Sequence, residues 1–130
     1  MRWILIKDKL TGPITFDTTL ADLISYIGEP TSKFKRTPDV EDVVYSYDNY
    51  GVHFNIDNNG AISQISVFPF NEFFIGEIQL LGQPIELIKE KILSTGETIE
   101  QEEAGLWFER FNMLLVDEDG AIDCVELYRN

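Results

Sequence analysis

The sequence predicts an α+β fold of two tandem α-β-β-β repeats, which form one antiparallel sheet with both helices packed on one face. Two observations lead to this prediction. The stretch "NIDNNGAISQISVF" from Asn55 returns as "LVDEDGAIDCVELY" from Leu115, with seven matched positions at an offset of sixty. Upstream, "ITFDTTLADLI" from Ile14 aligns with "IQLLGQPIELI" from Ile78 at an offset of sixty-four. We therefore expect residues 1–130 to be a single domain made of two repeats, about 14–70 and 78–130.

Each repeat begins with a short apolar segment, Ile14–Phe16 or Ile78–Leu80, and continues into a helix. Thr19 followed by Asp22 resembles a capping box, and Gly28 predicts the end of the first helix. Pro84 is placed to begin the second helix, which should end at Gly96. Both helices have an apolar stripe at helical spacing, formed by Leu20, Leu23, Ile24 and Ile27 in the first and by Leu87, Ile88 and Ile92 in the second.

Three β-rich runs follow each helix, and the Asp57–Gly60 and Asp117–Gly120 turns predict hairpins. Period-two alternation assigns a core face and an open face to the resulting sheet. The predicted core face carries Val52, Phe54, Ile56, Ile65 and Val67, then Leu114, Val116, Val125 and Leu127. The predicted open face carries His53, Asn55, Gln64, Ser66 and Phe68, then Trp107, Met113, Leu115, Cys124, Glu126 and Tyr128. The linking stretch "PFNEFFIGE" is interpreted as packing between the repeats.

The order of "LISYIGEP" and then "F.ID.NGAI..I.V", written twice in variant form, resembles the tandem-repeat fold of the β-lactamase inhibitor protein. The same fold is used by small bacterial lipoproteins and by toxin-immunity proteins, including the contact-dependent growth inhibition immunity type. This resemblance covers nearly the whole chain. It implies a two-repeat binding protein that acts by contact with another protein rather than by catalysis.

The charge is strongly acidic, with 23 acidic and 10 basic side chains giving a net charge of −13. Residues 1–70 hold nine acidic and six basic side chains, net −3, while residues 71–130 hold fourteen and four, net −10. Such a field repels nucleic acid and anionic membranes and attracts basic proteins. With a single cysteine, no intrachain disulfide can form. The apolar run Trp3–Ile6 is too short for a signal peptide or a membrane span, so we expect a cytoplasmic protein.

Three kinds of chemistry are alternatives to a binding function. The turns partly follow a calcium-loop pattern, but hairpin turns require the same Asp and Gly residues, which favours turns without metal. Cys124 and His53 share the predicted open face, yet nothing predicts an activated thiolate. Paired carboxylates for a hydrolase stay open, with no particular pair favoured. We therefore expect no catalytic residues, no metal and no cofactor.

The leading hypothesis is a non-enzymatic immunity protein that neutralises a cognate basic bacterial toxin, a nuclease, by occluding its active site. The alternative is a structural or assembly module that homodimerises through the open sheet face. Nucleic acid and membrane are not expected partners. The predicted partner-binding residues are Trp107, Glu109, Met113, Asp117, Glu118, Asp119, Glu126 and Tyr128, with Glu100, Glu102 and Glu103 as an acidic rim.

Overall fold

The computed structural model describes residues 1–6 and 9–129, so Asn130, the last residue of the predicted second repeat, lies outside the described residues. In the described part the chain forms twelve strands, two α-helices and a short 3-10 helix at Glu109–Phe111. The helices are α1 (Leu20–Ile27) and α2 (Ile85–Ser94). The strands are β1 (Arg2–Ile6), β2 (Lys9–Thr11), β3 (Ser32–Phe34), β4 (Val43–Tyr47), β5 (Val52–Ile56), β6 (Ile62–Val67), β7 (Glu72–Ile75), β8 (Ile78–Gln79), β9 (Glu100–Gln101), β10 (Gly105–Phe108), β11 (Met113–Glu118) and β12 (Ala121–Tyr128).

The larger sheet has eight strands in the order β3-β4-β5-β6-β12-β11-β10-β9, and every neighbouring pair is antiparallel. The two hairpins expected from the sequence, β5–β6 and β11–β12, are confirmed. They meet at the centre, where β6 and β12 pair directly with Ile65 opposite Leu127. Because the more acidic hairpin lies beside the less acidic one, the sheet runs from a mixed-charge half to an acidic half.

A second sheet of four strands, ordered β2-β1-β7-β8, was not expected from the sequence. Its central pair, β1 with β7, is parallel and places Trp3 opposite Phe73. Both side chains are fully buried, as alternation along RWILI and EFFI allows. The indole nitrogen of Trp3 donates to the Ile14 carbonyl at 2.9 Å, which holds the bend after β2 against this sheet.

One continuous hydrophobic core lies between the two sheets and the helices. The large sheet contributes side chains such as Phe54, Ile65 and Leu115, the small sheet Trp3 and Phe73, and the helices Leu23, Ile85, Ile88 and Ile92. All are buried, which is the main stabilising contribution in a domain of this size. The opposite face of the large sheet is therefore the one available for function.

The predicted fold class is wrong. The protein is mostly β, with 44% strand and 17% helix in two sheets, rather than a balanced α+β pair of repeats on one sheet. The error has a physical cause: β1 and β7 are short strands that the sequence interpretation treated as a leading segment and a linker, so the second sheet was missed. The Ile14–Phe16 segment, expected to be extended, forms bends and a turn instead.

The local sequence signals predicted the helices more accurately than the fold class. The Thr19 hydroxyl accepts the Asp22 amide at 3.1 Å, which confirms the predicted N-cap of α1, and Gly28 ends the helix at φ 85°. In α2 the buried stripe is Ile85, Ile88 and Ile92, whereas Leu87 is 40% exposed and does not belong to it. Pro84 lies just before the helix, so Ile85 is the first helical residue and belongs to the buried stripe in place of Leu87.

Candidate functional site

The face of the eight-stranded sheet turned away from the core, called here the outer face, carries an unbroken row of side chains. Successive pairings bring together one residue from each strand. The row is Ser32, Ser46, His53, Ser66, Glu126, Leu114, Trp107 and Glu100. Its acidic half places Trp107 directly between Glu100 and Leu114. Three of the predicted partner-binding residues, Trp107, Glu126 and Glu100, thus lie in this row on the outer face.

Met113 does not belong to this surface. It is fully buried in the core, as is Leu115, while Leu114 and Val116 occupy the outer face that the sequence interpretation gave to Met113 and Leu115. The β11–β12 connection explains the inversion. Ile56 pairs with Ile62 in the first hairpin, but Asp117 pairs with Ile122 in the second, so the second turn is one residue shorter.

A uniform offset of sixty is therefore correct for β6 and β12 but wrong by one residue for β5 and β11. A one-residue slip in a strand exchanges its two faces. Both hairpins have an irregular pairing at equivalent places, Asn55/Ile56 and Val116/Asp117, so the shorter turn, and not the bulge, accounts for the difference. Leu114 replaces Met113 as the apolar member of the surface, between Trp107 and Glu126.

A hydrogen-bonded ladder of side chains crosses the middle of the outer face. Gln64 donates through Nε2 to Glu126 Oε2 at 3.0 Å and to Ser66 Oγ at 3.1 Å. Tyr128 donates its hydroxyl to the same Glu126 oxygen at 2.8 Å. Asn55 donates through Nδ2 to Gln64 Oε1 at 3.3 Å. These contacts fix the Glu126 carboxylate in place, so its charge is oriented before any partner arrives.

Aromatic rings cover both ends of this ladder. The Trp107 and Tyr128 rings are 5.9 Å apart and tilted by 53°. Burial, together with the hydrogen bond to Glu126, raises the pKa of Tyr128, so its hydroxyl stays protonated and donating at neutral pH. On the other half, His53 packs edge-on against Phe68 at 4.8 Å and against Phe34 at 6.2 Å.

Lowering the pH should destabilise the protein through His53. Burial between the two phenyl rings, and then the Arg36 charge, lower the pKa of His53, and Asp48 opposes them. The unfolded chain therefore binds the proton more tightly, and stability is lost as pH falls from about 6.5 through the folded pKa. We expect the unfolding free energy of the native protein to fall relative to His53→Gln between pH 7.5 and pH 5 in urea titrations.

The carboxylates titrate in both proteins and cancel in this comparison. A difference in unfolding free energy that stays constant over the same pH range would show that the folded and unfolded imidazoles have equal pKa values.

Cys124 lies on the outer face among the same residues but is buried. Burial, and then the charges of Glu126 and Asp123, raise the pKa of its thiol to about 12. A thiol held in this state is almost entirely protonated at neutral pH and is a poor nucleophile. The Cys124–His53 pair considered from the sequence therefore lacks its reactive member.

One end of the acidic half gathers most of the remaining predicted carboxylates. The Asp117 amide donates to the Ala104 carbonyl at 2.9 Å, which joins the β9–β10 turn to the β11–β12 hairpin. This contact brings the exposed Glu102 and Glu103 next to the exposed Asp117, Glu118 and Asp119. A hydrogen bond and repulsion from Asp123 raise the pKa of Glu118, a sign of how closely the charges are packed. We call these five residues the acidic end.

Glu109 lies apart from that group. It begins the 3-10 helix that follows β10, whereas the acidic end adjoins the opposite end of the same strand at Gly105. Its placement separates it from the predicted surface because the chain turns after Phe108 toward β11. Glu109 is exposed, but it does not share the outer face with Trp107.

The aspartates of the two turns bind backbone amides. Asp57 Oδ1 accepts the Asn59 and Ala61 amides at 2.9 and 3.0 Å, and Asp117 Oδ1 accepts the Gly120 amide at 2.9 Å. These are the local bonds expected of hairpin turns. Within residues 1–6 and 9–129, no group of three or more His, Cys, Asp or Glu side chains is arranged to hold a metal ion. In the same residues no helix is long and apolar enough to span a membrane.

The sequence did not indicate the importance of Gln64, Asn55 or Arg36. Arg36 follows the edge strand β3 and lines a pocket together with Asn55, and its charge acts to lower the pKa values of His53, Cys124 and Tyr128. Polar residues at alternate positions of two central strands were visible in "HFNI" and "SQIS". Their ladder depends on register, which the sequence alone did not supply.

Comparison with known proteins gives a family without a described activity. Residues 4–105 match the family model described as "Domain of unknown function (DUF7738)". No curated protein matches the chain. A crystal structure of an extracellular protein containing a SCP domain, from Bacillus anthracis str. Ames, is 13% identical with a TM-score of 0.48. The alignment covers 95% of this chain and 49% of that one, so the chain spans about half its length.

Proposed function

Because the chain belongs to the DUF7738 family, whose function is unknown, we propose its function from its own surface. It is a non-enzymatic, cytoplasmic inhibitor of the bacterial immunity type that neutralises a basic toxin, a nuclease, by covering its active site. The observation that supports this proposal most directly is Trp107. Its half-buried indole lies on the outer face between Glu100 and Leu114, and it is two residues along β10 from Gly105, where the acidic end adjoins this strand.

Charge supplies the attraction. A nuclease that holds phosphates in a basic cleft presents lysines and arginines that carboxylates complement. The net charge of −13 accelerates encounter with such a surface, and the acidic end concentrates five carboxylates where the cleft would approach. Exposed pairs of this kind are screened by salt, with a Debye length of about 8 Å at physiological ionic strength.

Anchoring falls to the apolar and ordered members of the outer face. Trp107 and Tyr128 pack against each other, Leu114 lies beside them, and Glu126 is held by two side-chain hydrogen bonds. Aromatic residues in such settings dominate binding free energies, and a pre-oriented carboxylate loses little entropy on binding. Acidic steering and aromatic anchors together form one surface suited to a basic protein.

Binding should depend on Trp107 and on salt. Proteins retained from the native host by the immobilised chain would be identified, purified and titrated against native and variant chains. We expect Trp107→Ala to weaken binding by at least about tenfold, or roughly 1.4 kcal/mol, and Asp117→Asn with Glu118→Gln to slow association at low salt. Glu90→Gln, an exposed change on α2, is the matched control.

The inhibitory step is tested by hydrolysis of DNA or RNA by the captured protein, which the native chain should suppress at equimolar ratio. Association that is insensitive to ionic strength would contradict the electrostatic part of the proposal. A native mass corresponding to a stable dimer with Trp107 protected from solvent would favour the assembly module instead.

A further inference from the structure

A pocket of about 450 Å³ lies beside the outer face, between the segment 36–42 and strand β5. Its lining residues are Arg36, Val40, Glu41, Asp42 and Asn55. Asn55 is only 8% exposed, and its Oδ1 atom is buried without a hydrogen-bond partner among the described residues. A buried carbonyl oxygen of this kind destabilises the fold unless a donor reaches it. A residue that lines the pocket thus carries an acceptor without a donor.

The orientation of that oxygen follows from the ladder on the outer face. The Glu126 carboxylate can only accept, so Gln64 must turn its Nε2 toward it and its Oε1 toward Asn55. Asn55 must then present Nδ2 to Gln64, which leaves Oδ1 as the outer end of the chain of bonds. The carboxylate thus orients both amide dipoles, and their negative end is Asn55 Oδ1.

Charge around the pocket favours a cation. Glu41 and Asp42 contribute two carboxylates against the single guanidinium of Arg36. Asp42 accepts the Ser63 hydroxyl through Oδ2 at 2.5 Å, which holds this carboxylate beside β6. A carboxylate can accept several more hydrogen bonds. The long-range field of a protein with a net charge of −13 adds to the same preference.

We propose that this pocket binds a cationic N–H donor, a guanidinium or primary ammonium group. A small rotation of the Asn55 side chain would turn Oδ1 toward the pocket, where it would accept one N–H, while the positive charge would face Glu41 and Asp42. A small free cation or the tip of an arginine or lysine side chain of another protein could supply this chemistry. The proposal does not rest on the inhibitor function, because the isolated chain is enough to test it.

The test is an NMR titration of the isotopically labelled full chain with methylguanidinium, methylammonium or tetramethylammonium chloride at constant ionic strength. The first two probes should produce saturable shifts of the Asn55 side-chain amide and the Val40 methyl groups. Tetramethylammonium has the same charge but no N–H and should not. Asn55→Leu should weaken methylguanidinium binding by about tenfold or more, and Glu41→Gln should weaken it less. Glu90→Gln, on α2 and outside the pocket, should leave it unchanged.

Equal shifts with tetramethylammonium, or an unchanged affinity in Asn55→Leu, would overturn the proposal. If Asn55→Leu fails to fold, Asp42→Asn decides in its place, and an unchanged affinity there is equally contradictory. The tripeptide Gly-Arg-Gly with blocked ends separates the two sources. Tighter binding than methylguanidinium indicates a protein side chain, and binding no tighter indicates a free cation.

Discussion

Gly105→Ala should destabilise the protein by roughly 3–5 kcal/mol, the largest effect of any substitution considered. A Cβ atom at this position would stand 1.9 Å from the Leu115 carbonyl oxygen and 3.0 Å from the Asp117 amide nitrogen. Both neighbours are backbone atoms of a paired strand, so no side-chain rotation can relieve the contact. Strand β11 would have to move away from β10, with loss of the bonds on which its register depends.

The measurement is urea unfolding followed by tryptophan fluorescence. Gly76→Ala provides the matched control, because Gly76 also has a positive φ, of 58°, but a Cβ there meets nothing within 4 Å. Its cost should be only about 1 kcal/mol, the ordinary penalty for a left-handed backbone. Equal losses of unfolding free energy in the two variants would show that β11 can move aside without an energetic cost, which would contradict the close approach at Gly105.

The same region shows where prediction from sequence succeeded and where it failed. Hairpin turns and the Thr19 cap follow from interactions within a few residues, which a sequence states directly. The face of β11 depends on a turn that is one residue shorter than its counterpart in the first hairpin. The sequence of β11 is compatible with either register. The prediction therefore placed Met113 on the outer face and Leu114 on the core face, the reverse of the structure.

The fold class failed for a related reason. Strands β1 and β7 are four or five residues long and pair in parallel across about seventy residues of chain. No local sequence feature identifies β7 as the partner of β1, because parallel strands are not joined by a short turn. The candidate site was predictable at Trp107, Glu126 and the acidic end, where composition carries the signal. The ladder through Asn55 and Gln64 requires the arrangement of three neighbouring strands and was not.

Asn71→Ala should cost roughly 2–4 kcal/mol, because one small side chain joins several otherwise separate segments. Asn71 is 4% exposed, and the two hydrogens of its Nδ2 atom are shared among the carbonyls of Tyr50, Gly51 and Phe68, at 2.8, 3.0 and 3.0 Å. Two of these carbonyls lie in the β4–β5 turn, while Asn71 itself stands immediately before β7. The side chain therefore ties a turn of the large sheet to the first residues of a strand in the small one.

Asn71→Asp distinguishes donation from shape, since aspartate has nearly the same volume but no N–H to offer. At neutral pH one carboxylate oxygen would still accept from the Met1 ammonium, while the other would face three carbonyl oxygens, so we expect a loss of stability comparable to that of Asn71→Ala. Asn49→Ala, an exposed change in the same β4–β5 turn, should stay within about 0.5 kcal/mol of the native protein. If Asn71→Ala and Asn71→Asp were both as stable as the native protein, these donated bonds would have no net value. The two sheets would then be joined by the hydrophobic core that they share.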